Sequence, residues 1–300
     1  MRLLITGGLG YVGSNIIPFL LKSGHKICIV DCGMNAVVEN VQNTELVIAD
    51  VCDEVVMGPL IEAADIVLHL AAETSVVQSG YSSCESLIHN NVTGLEVCAR
   101  LSAKYGRRFI FASSAAVYGE RSDLSGVSET DCFRPISPYG SSKLFGESLV
   151  LTSYKDLPNL CSILRFFNIF GGAHAYRSAY SGVISRFLYS ATMGQETLKI
   201  YGDGKQTRDF IHINDVGRCY LEAIKGNLNG IVNIGTGKAT TVNDLAQFIT
   251  RLKPELKLEF QPRRAQEIIH SVADISALKE RIGFIPNVSV KEYIEEQVGG

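Results

Sequence analysis

The chain has no basic tract, no CxxC pair, no apolar run long enough to span a bilayer, no internal repeat and no low-complexity linker. Each absence removes a class of function. With 28 basic against 31 acidic residues and a formal net charge of −3, nucleic acid is not expected as the main partner. A few placed arginines can still hold an anionic small ligand. The eight cysteines (28, 32, 52, 84, 98, 132, 161 and 219) are scattered singly, and none shares zinc-site spacing with a histidine, so no metal is expected. Several fall in apolar runs, such as Cys28 in KICIV and Cys161 in LCSILRF, which reads as buried free thiols in a reducing compartment. The chain opens on a strand-like RLLIT without a signal peptide, and a cytoplasmic protein is expected.

What is present describes an α/β protein. Three hundred residues, 46% hydrophobic and 20% charged with 28 glycines, can form one large domain or two modest ones. Strands are expected at Leu3–Thr6, Ile27–Asp31, Leu46–Ala49, Ile66–Leu70, Phe109–Ala112 and Ser162–Phe167. Most are apolar throughout, as parallel strands covered on both faces are. Between them Tyr11–Ser23, Glu54–Ala63, Glu85–Tyr105 and Tyr139–Tyr154 carry helical spacing, with Gly24 and Gly106 where helices end. Pro18 interrupts the first helical pattern at a cost of roughly 3 kcal/mol, so a local distortion is expected there. Beyond Asn168 a glycine- and serine-rich stretch leads to a helix near Val183–Thr192 and a strand-like LKIYGDG. Strands at Asp209–Ile213 and Ile231–Ile234 and helices at Val242–Leu252 and Ile275–Ile282 follow. The expected fold is α/β, a Rossmann-type doubly wound parallel sheet with a smaller mixed α/β C-terminal substrate lobe. Residues 1–167 with about 206–232 form the first part, and 168–205 with about 233–300 the second.

The first strand runs directly into Thr6-Gly7-Gly8-Leu9-Gly10-Tyr11-Val12-Gly13. Glycines at 7, 10 and 13 that follow a strand and open a helix meet the demands of a dinucleotide turn. The backbone must turn tightly, approach a pyrophosphate closely and pack helix against sheet. Asp31 ends the second strand, where a carboxylate accepts both ribose hydroxyls of adenosine and repels a 2′-phosphate, favouring NAD over NADP. Asp50 and Val51 past the third strand are expected near the adenine. Leu70, Ala71 and Ala72 past the fourth let the backbone run close to the cofactor.

Tyr139 and Lys143 lie four apart in PYGSSK and share a helix face. Ser113 and Ser114 end the strand at Phe109–Ala112. A tyrosine with a pKa near about 10 is a poor base at neutral pH. A neighbouring ammonium and an oxidised nicotinamide favour its phenolate, while a serine hydroxyl can hold the substrate oxygen.

TGGLGYVGS, HLAA, SSAAVYG, SPYGSSK, LRFFNIFG, YGDGKQTRDFIHINDV and NIGTG follow one another along nearly the whole chain. In that order they resemble the NAD-dependent epimerase/dehydratase family, the extended short-chain dehydrogenase/reductases, and within it UDP-glucose/UDP-galactose 4-epimerases. The resemblance implies that Tyr139 takes the proton of the sugar 4-hydroxyl while NAD takes hydride from C4. The 4-keto sugar turns over, and hydride returns to its other face. Ser114 matches the catalytic hydroxyl and Lys143 the residue that binds the nicotinamide ribose. Tyr11, Val12, Asn91, Ser113 and Phe166 fall at further cofactor positions. Asn168 matches a phosphate contact, Arg208 and Arg264 the pyrophosphate arginines, Glu267 a nucleoside ribose contact, and Val183 a substrate position. Gln266 stands where the family usually has glycine.

The residues after Ser114 distinguish branches. Related sugar 4,6-dehydratases carry an acidic pair there and decarboxylases a glutamate, whereas this chain has Ala115 and Ala116, which transfer no proton. Ser271 stands where related epimerases bound the sugar pocket with a tyrosine. A serine leaves room for UDP-GlcNAc/UDP-GalNAc as well as UDP-Glc/UDP-Gal. The segment His174–Tyr180 departs most from the family pattern. Two alternatives remain: another NAD-dependent nucleotide-sugar modifier, such as a uronic-acid epimerase or dehydratase, and an NAD-binding regulatory protein without turnover. Relatives losing catalysis usually lose the tyrosine or lysine; here both are present. The helices at Glu85–Tyr105 and Tyr139–Tyr154 form a dimer bundle in relatives, which implies a homodimer.

Overall fold

The computed structural model describes residues 1–33, 41–74, 81–120, 125–173, 182–264 and 267–299, without the side chains of 81–83. Seven strands form one sheet. Six of them are β1 (Arg2–Thr6), β2 (Lys26–Asp31), β3 (Glu45–Ile48), β4 (Ile66–His69), β5 (Arg108–Ser114) and β6 (Cys161–Phe166), and the seventh is Gly230–Ile234. Their order is Gly230–Ile234, β6, β5, β4, β1, β2, β3, and every pairing is parallel. Direction of build-up reverses between β1 and β4. In an open parallel sheet the ligand crevice lies at such a switch point, outside the C-terminal strand ends.

Period-two alternation sends neighbouring residues to opposite faces. Leu3 and Ile5 of β1 join a core with Ile16, Ile17 and Leu20 of α1 (Tyr11–Lys22) and with Val216 and Tyr220 of the helix Ile213–Lys225. Leu4 joins the other core. There it packs with Met57 and Ile61 of α2 (Glu54–Glu62), and with Leu95 and Leu101 from a helical stretch made of α3 (Tyr81–Ile88), a π turn and α4 (Gly94–Lys104). Val150 of α5 (Pro138–Ser153) belongs to the same core. The continuously apolar strands thus follow from burial on both faces.

A third core gathers Phe170, Ile184, Phe187, Leu198, Ile200, Leu245, Ile249 and Ile294. It is built by helices Val183–Thr192, Val242–Leu252 and Val290–Gly299 with the parallel pair Thr197–Tyr201 and Lys257–Gln261. Ile275, Leu278 and Ile282 pack instead into the core of the large sheet.

Three expectations are revised. α1 runs through Pro18 uninterrupted; Pro18 is exposed, so its ring displaces no core side chain. The helix expected at Glu85–Tyr105 begins earlier and is divided by a π turn at His89–Thr93, an insertion that often marks functional positions. Of the cysteines, 28, 98, 161 and 219 are buried free thiols, but 32, 84 and 132 are exposed. These three lie outside the sheet's apolar runs. Among the described residues no helix is long and apolar enough to cross a membrane.

Candidate active site

The turn from β1 into α1 lies against the end of β4. Gly7 has φ +68°, and a Cβ there would sit 2.6 Å from the backbone nitrogen of Ala71. A Cβ on Gly13 would sit 2.6 Å from the Cα of Gly8. Neither position admits a side chain. Gly10 caps α1 without any side-chain hydrogen bond, so the first amides of the helix face outward with their partial positive charge. That is the arrangement a pyrophosphate needs. Tyr11 contributes backbone only, since its hydroxyl donates to the carbonyl of Gly171 at 2.7 Å. Val12 packs against the core.

Gly7, Gly10, Asp31, Asp50, Val51, Leu70, Ala71 and Ala72 line one groove. The Asp31 carboxylate is steadied by the amides of Leu9 (3.0 Å) and Gly33 (2.9 Å), one on each oxygen, and each oxygen keeps a further lone pair. At the other end Asp50 accepts from the amide of Cys52 at 2.8 Å and meets Nε2 of His89 at 2.7 Å. Burial pushes the Asp50 carboxyl up, yet these bonds hold it below the ordinary value. The thiol of Cys52 donates to the His89 carbonyl, so the cluster Asp50–Cys52–His89, whose potential ligand atoms lie within 4.8 Å, is internally hydrogen-bonded.

The side chains of three expected cofactor residues are engaged by other protein groups. Asn91, in the π turn, accepts from the amide of Glu73 (2.7 Å) and donates to its carbonyl (2.9 Å) and to Ser142 (3.0 Å). It clamps the groove wall to α5, while its neighbour Asn90 lines the groove. Ser113 donates to Glu147. The ring of Phe166 stacks on Tyr220 in the core, with centroids 5.5 Å apart.

α5 begins at a serine cap: Ser137 accepts from the amide of Gly140, and Pro138 occupies the first turn, where its missing N–H costs nothing. This places half-buried Tyr139 opposite Ser114 at the end of β5. Burial pushes the Tyr139 phenol up to about 12, and a hydrogen bond with the Ser114 hydroxyl works the other way. One turn on, Lys143 is buried. Its Nζ donates to the carbonyl of Ala112 at 2.8 Å and lies 4.9 Å from the Phe111 centroid and 5.8 Å from that of Tyr139. Burial lowers its ammonium to about 7, against the pull of Glu147. The sequence suggests a tyrosine already depressed by its lysine. In the protein alone, desolvation of both groups outweighs that attraction.

A cationic cluster stands on the other side. Arg208 bonds the carbonyls of Thr207 and Ile269 and approaches Glu267 at 3.7 Å. Asp209 is not its partner, being fully buried and bonded to the amides of Thr236, Gly237 and Ala273. Arg264 stacks its guanidinium 3.7 Å from the Tyr201 ring centroid. Arg186, absent from the sequence-based set, belongs here too: partial desolvation by the surrounding protein, then the charge of Arg264, lower its pKa. A lone arginine on a helix gives no sequence signal. Ser271 pairs in register with Arg208, Asn168 donates to the carbonyl of Asp209 at 3.3 Å, and Val183 opens its helix. His174–Tyr180 and Gln266 lie outside the described residues.

A glycine-cradled groove at the switch point of a doubly wound sheet defines a Rossmann-type dinucleotide-binding protein. A model of the NAD dependent epimerase/dehydratase family matches residues 3–235, and the chain belongs to that family. It is 33% identical over 310 residues to a putative UDP-glucose 4-epimerase of Methanocaldococcus jannaschii, covering 99% of this chain and 97% of that one. It is 32% identical over 314 residues to the UDP-N-acetyl-alpha-D-glucosaminuronate decarboxylase of Bacillus cytotoxicus, covering 99% and 96%. It superposes on the crystal structure of UDP-glucose 4-epimerase with UDP-glucose from Thermotoga maritima at a TM-score of 0.89 and 30% identity, covering 100% and 98%. The protein is therefore an enzyme of a family that uses NAD and acts on nucleotide sugars.

Proposed function

We propose that the enzyme reversibly epimerises a UDP-hexose at C4 through a 4-keto sugar. The observation carrying this reading is the sequence of chemistry at the end of β5. Ser114 and Tyr139 face each other, Lys143 stands behind them, and the next two residues are Ala115 and Ala116. Oxidation and reduction at C4 need one base and no second acid. Elimination of water or loss of a carboxylate calls for further polar groups at the positions that alanine occupies.

Bound NAD supplies the acceptor, and later the donor, of the C4 hydride. The protein's residues do the rest. Glycines 7, 10 and 13 with the first turn of α1 hold the pyrophosphate, and Asp31 holds the adenosine ribose. Ser114 accepts or donates at the sugar 4-oxygen and orients it toward Tyr139. The Tyr139 phenolate removes the hydroxyl proton and returns it after the ketone is reduced. Lys143 favours that phenolate by its charge. Arg186, Arg208 and Arg264 balance the diphosphate, a role suited to bidentate guanidinium. Asn168 serves the β-phosphate, Glu267 the nucleoside ribose, and Val183 and Ser271 bound the sugar. In this reading 1–167 with about 206–232 holds NAD, and 168–205 with about 233–300 holds the sugar nucleotide. The enzyme works as a homodimer.

The deciding experiment incubates the protein with UDP-Glc, UDP-Gal, UDP-GlcNAc, UDP-GalNAc and UDP-glucuronic acid and identifies the products by NMR. C4 epimers of the neutral hexoses are expected. Similarity to a decarboxylase motivates the second reading, a uronic-acid enzyme. Release of carbon dioxide, a product epimerised only from the uronate, or a 4-keto-6-deoxy product would replace the first.

A further inference from the structure

Glu147 lies one turn beyond Lys143 on α5, is 2% exposed, and belongs to none of the roles above. Its carboxylate is fully paired. Arg165, itself completely buried, donates through Nη2 to Oε2 at 2.6 Å and through Nε to Oε1 at 2.9 Å. Ser113 Oγ donates to the same Oε1. The Nη1 of Arg165 reaches the Tyr118 hydroxyl at 2.8 Å and the Glu129 carbonyl at 3.0 Å. A buried ion pair is a poor source of stability, because desolvating each charge costs several kcal/mol. Its location gives it another use. Three consecutive residues of β5 meet one face of α5: the Ala112 carbonyl takes Lys143, the Ser113 hydroxyl gives to Glu147, and Ser114 faces Tyr139. Tyr139, Lys143 and Glu147, four apart, present that face. Around Lys143 the other titratable neighbours are Tyr139 on the same helix and His69 on β4. Burial lowers His69 to about 3 and keeps it neutral. Arg165, from β6, stands on Glu147.

We propose that Glu147 is a positioning residue of this active site: it ties Ser113, and with it Ser114, to α5 and supplies the negative charge beside the Lys143 ammonium. The proposal rests on the roles assigned to Tyr139, Ser114 and Lys143 above.

The test compares the parent with Glu147→Gln, Arg165→Met, the double variant and Ser113→Ala. The double variant leaves no buried ion unpaired, so it is expected to melt within a few degrees of the parent. Its kcat is expected to drop about 100-fold, the cost of a small misplacement, with KM within about threefold. Parental kcat in the folded double variant overturns the proposal and reduces the pair to packing. If that variant does not fold, Ser113→Ala decides: a kcat about tenfold lower at unchanged KM supports the proposal, and parental kcat overturns it. A readout independent of turnover is the titration of Lys143 by NMR in lysine-labelled protein, assigned with Lys143→Met. Its midpoint is expected to fall by about one pH unit in Glu147→Gln. An unmoved midpoint overturns the electrostatic part, whatever the substrate proves to be. Failure of the parent to epimerise any UDP-hexose counts against the proposed function instead.

Discussion

Lys143 holds its ammonium 5.8 Å from the ring centroid of Tyr139 while donating to the carbonyl of Ala112 at 2.8 Å. Burial sets the order in which the two groups lose their protons. With Lys143 lowered to about 7 and Tyr139 raised to about 12, the first of their protons leaves near pH 7. The fully protonated pair has no base to offer. Turnover is accordingly expected to rise with pH through about 7 and to be lost as pH falls below it. Lys143→Met is expected to move this acidic limb upward by more than about one unit. A kcat/KM profile from pH 5.5 to 9 checks this, and an unshifted limb in the variant contradicts it. Tyr139→Phe is expected to cut kcat by about 10²–10⁴-fold while NAD remains bound.

Gly13→Ala tests the cradle. The added Cβ would lie 2.6 Å from both Cα and O of Gly8, and because these are backbone atoms nothing there can rotate away. The variant is expected to lose about 1–3 kcal/mol by overpacking and to purify with less NAD. Calorimetry and cofactor extraction measure the two effects. Full NAD occupancy at parental stability is the contrary result.

Ser271→Tyr tests the sugar pocket. Ser271 is half-buried and pairs with Arg208, so a larger side chain there projects from a fixed strand. Activity on N-acetylated hexoses is expected to fall at least about tenfold relative to UDP-Gal. Parallel assays on UDP-Gal and UDP-GalNAc give the ratio, and a ratio unchanged by the substitution removes Ser271 from the pocket.

Phe145 tests the dimer. It remains 52% exposed on α5, and Ile88 55% exposed on α3, apolar surface that a helix-bundle interface covers. Phe145→Glu is expected to convert a dimer to a monomer in sedimentation velocity. A parent that sediments as a monomer refutes the expectation outright.

The strand–helix alternation, the glycine turn and the Tyr139–Lys143 spacing were readable because each is set within a few residues. Burial on both faces makes a strand apolar, the left-handed turn at 7 and the close approach of Gly8 to 13 exclude side chains there, and one helical turn aligns 139 with 143. The π turn at His89–Thr93 was not readable, since nothing in HNNVT opposes an ordinary helix. Nor was the strand Lys257–Gln261, half-exposed and mixed in polarity, whose existence depends on pairing with Thr197–Tyr201.

Family and cofactor were thus present in the order of amino acids, because short-range geometry and residue chemistry specify the motifs that carry them. Folding in three dimensions decided the rest. It committed Asn91 to Glu73 and Ser142, stacked Arg264 on Tyr201, brought Arg186 to the arginine cluster and joined Glu147 to Arg165. It also set the ionisation of Tyr139 and Lys143. These outcomes depend on which distant side chains the fold brings together, and for the buried ones the cost of desolvation has no counterpart in local sequence.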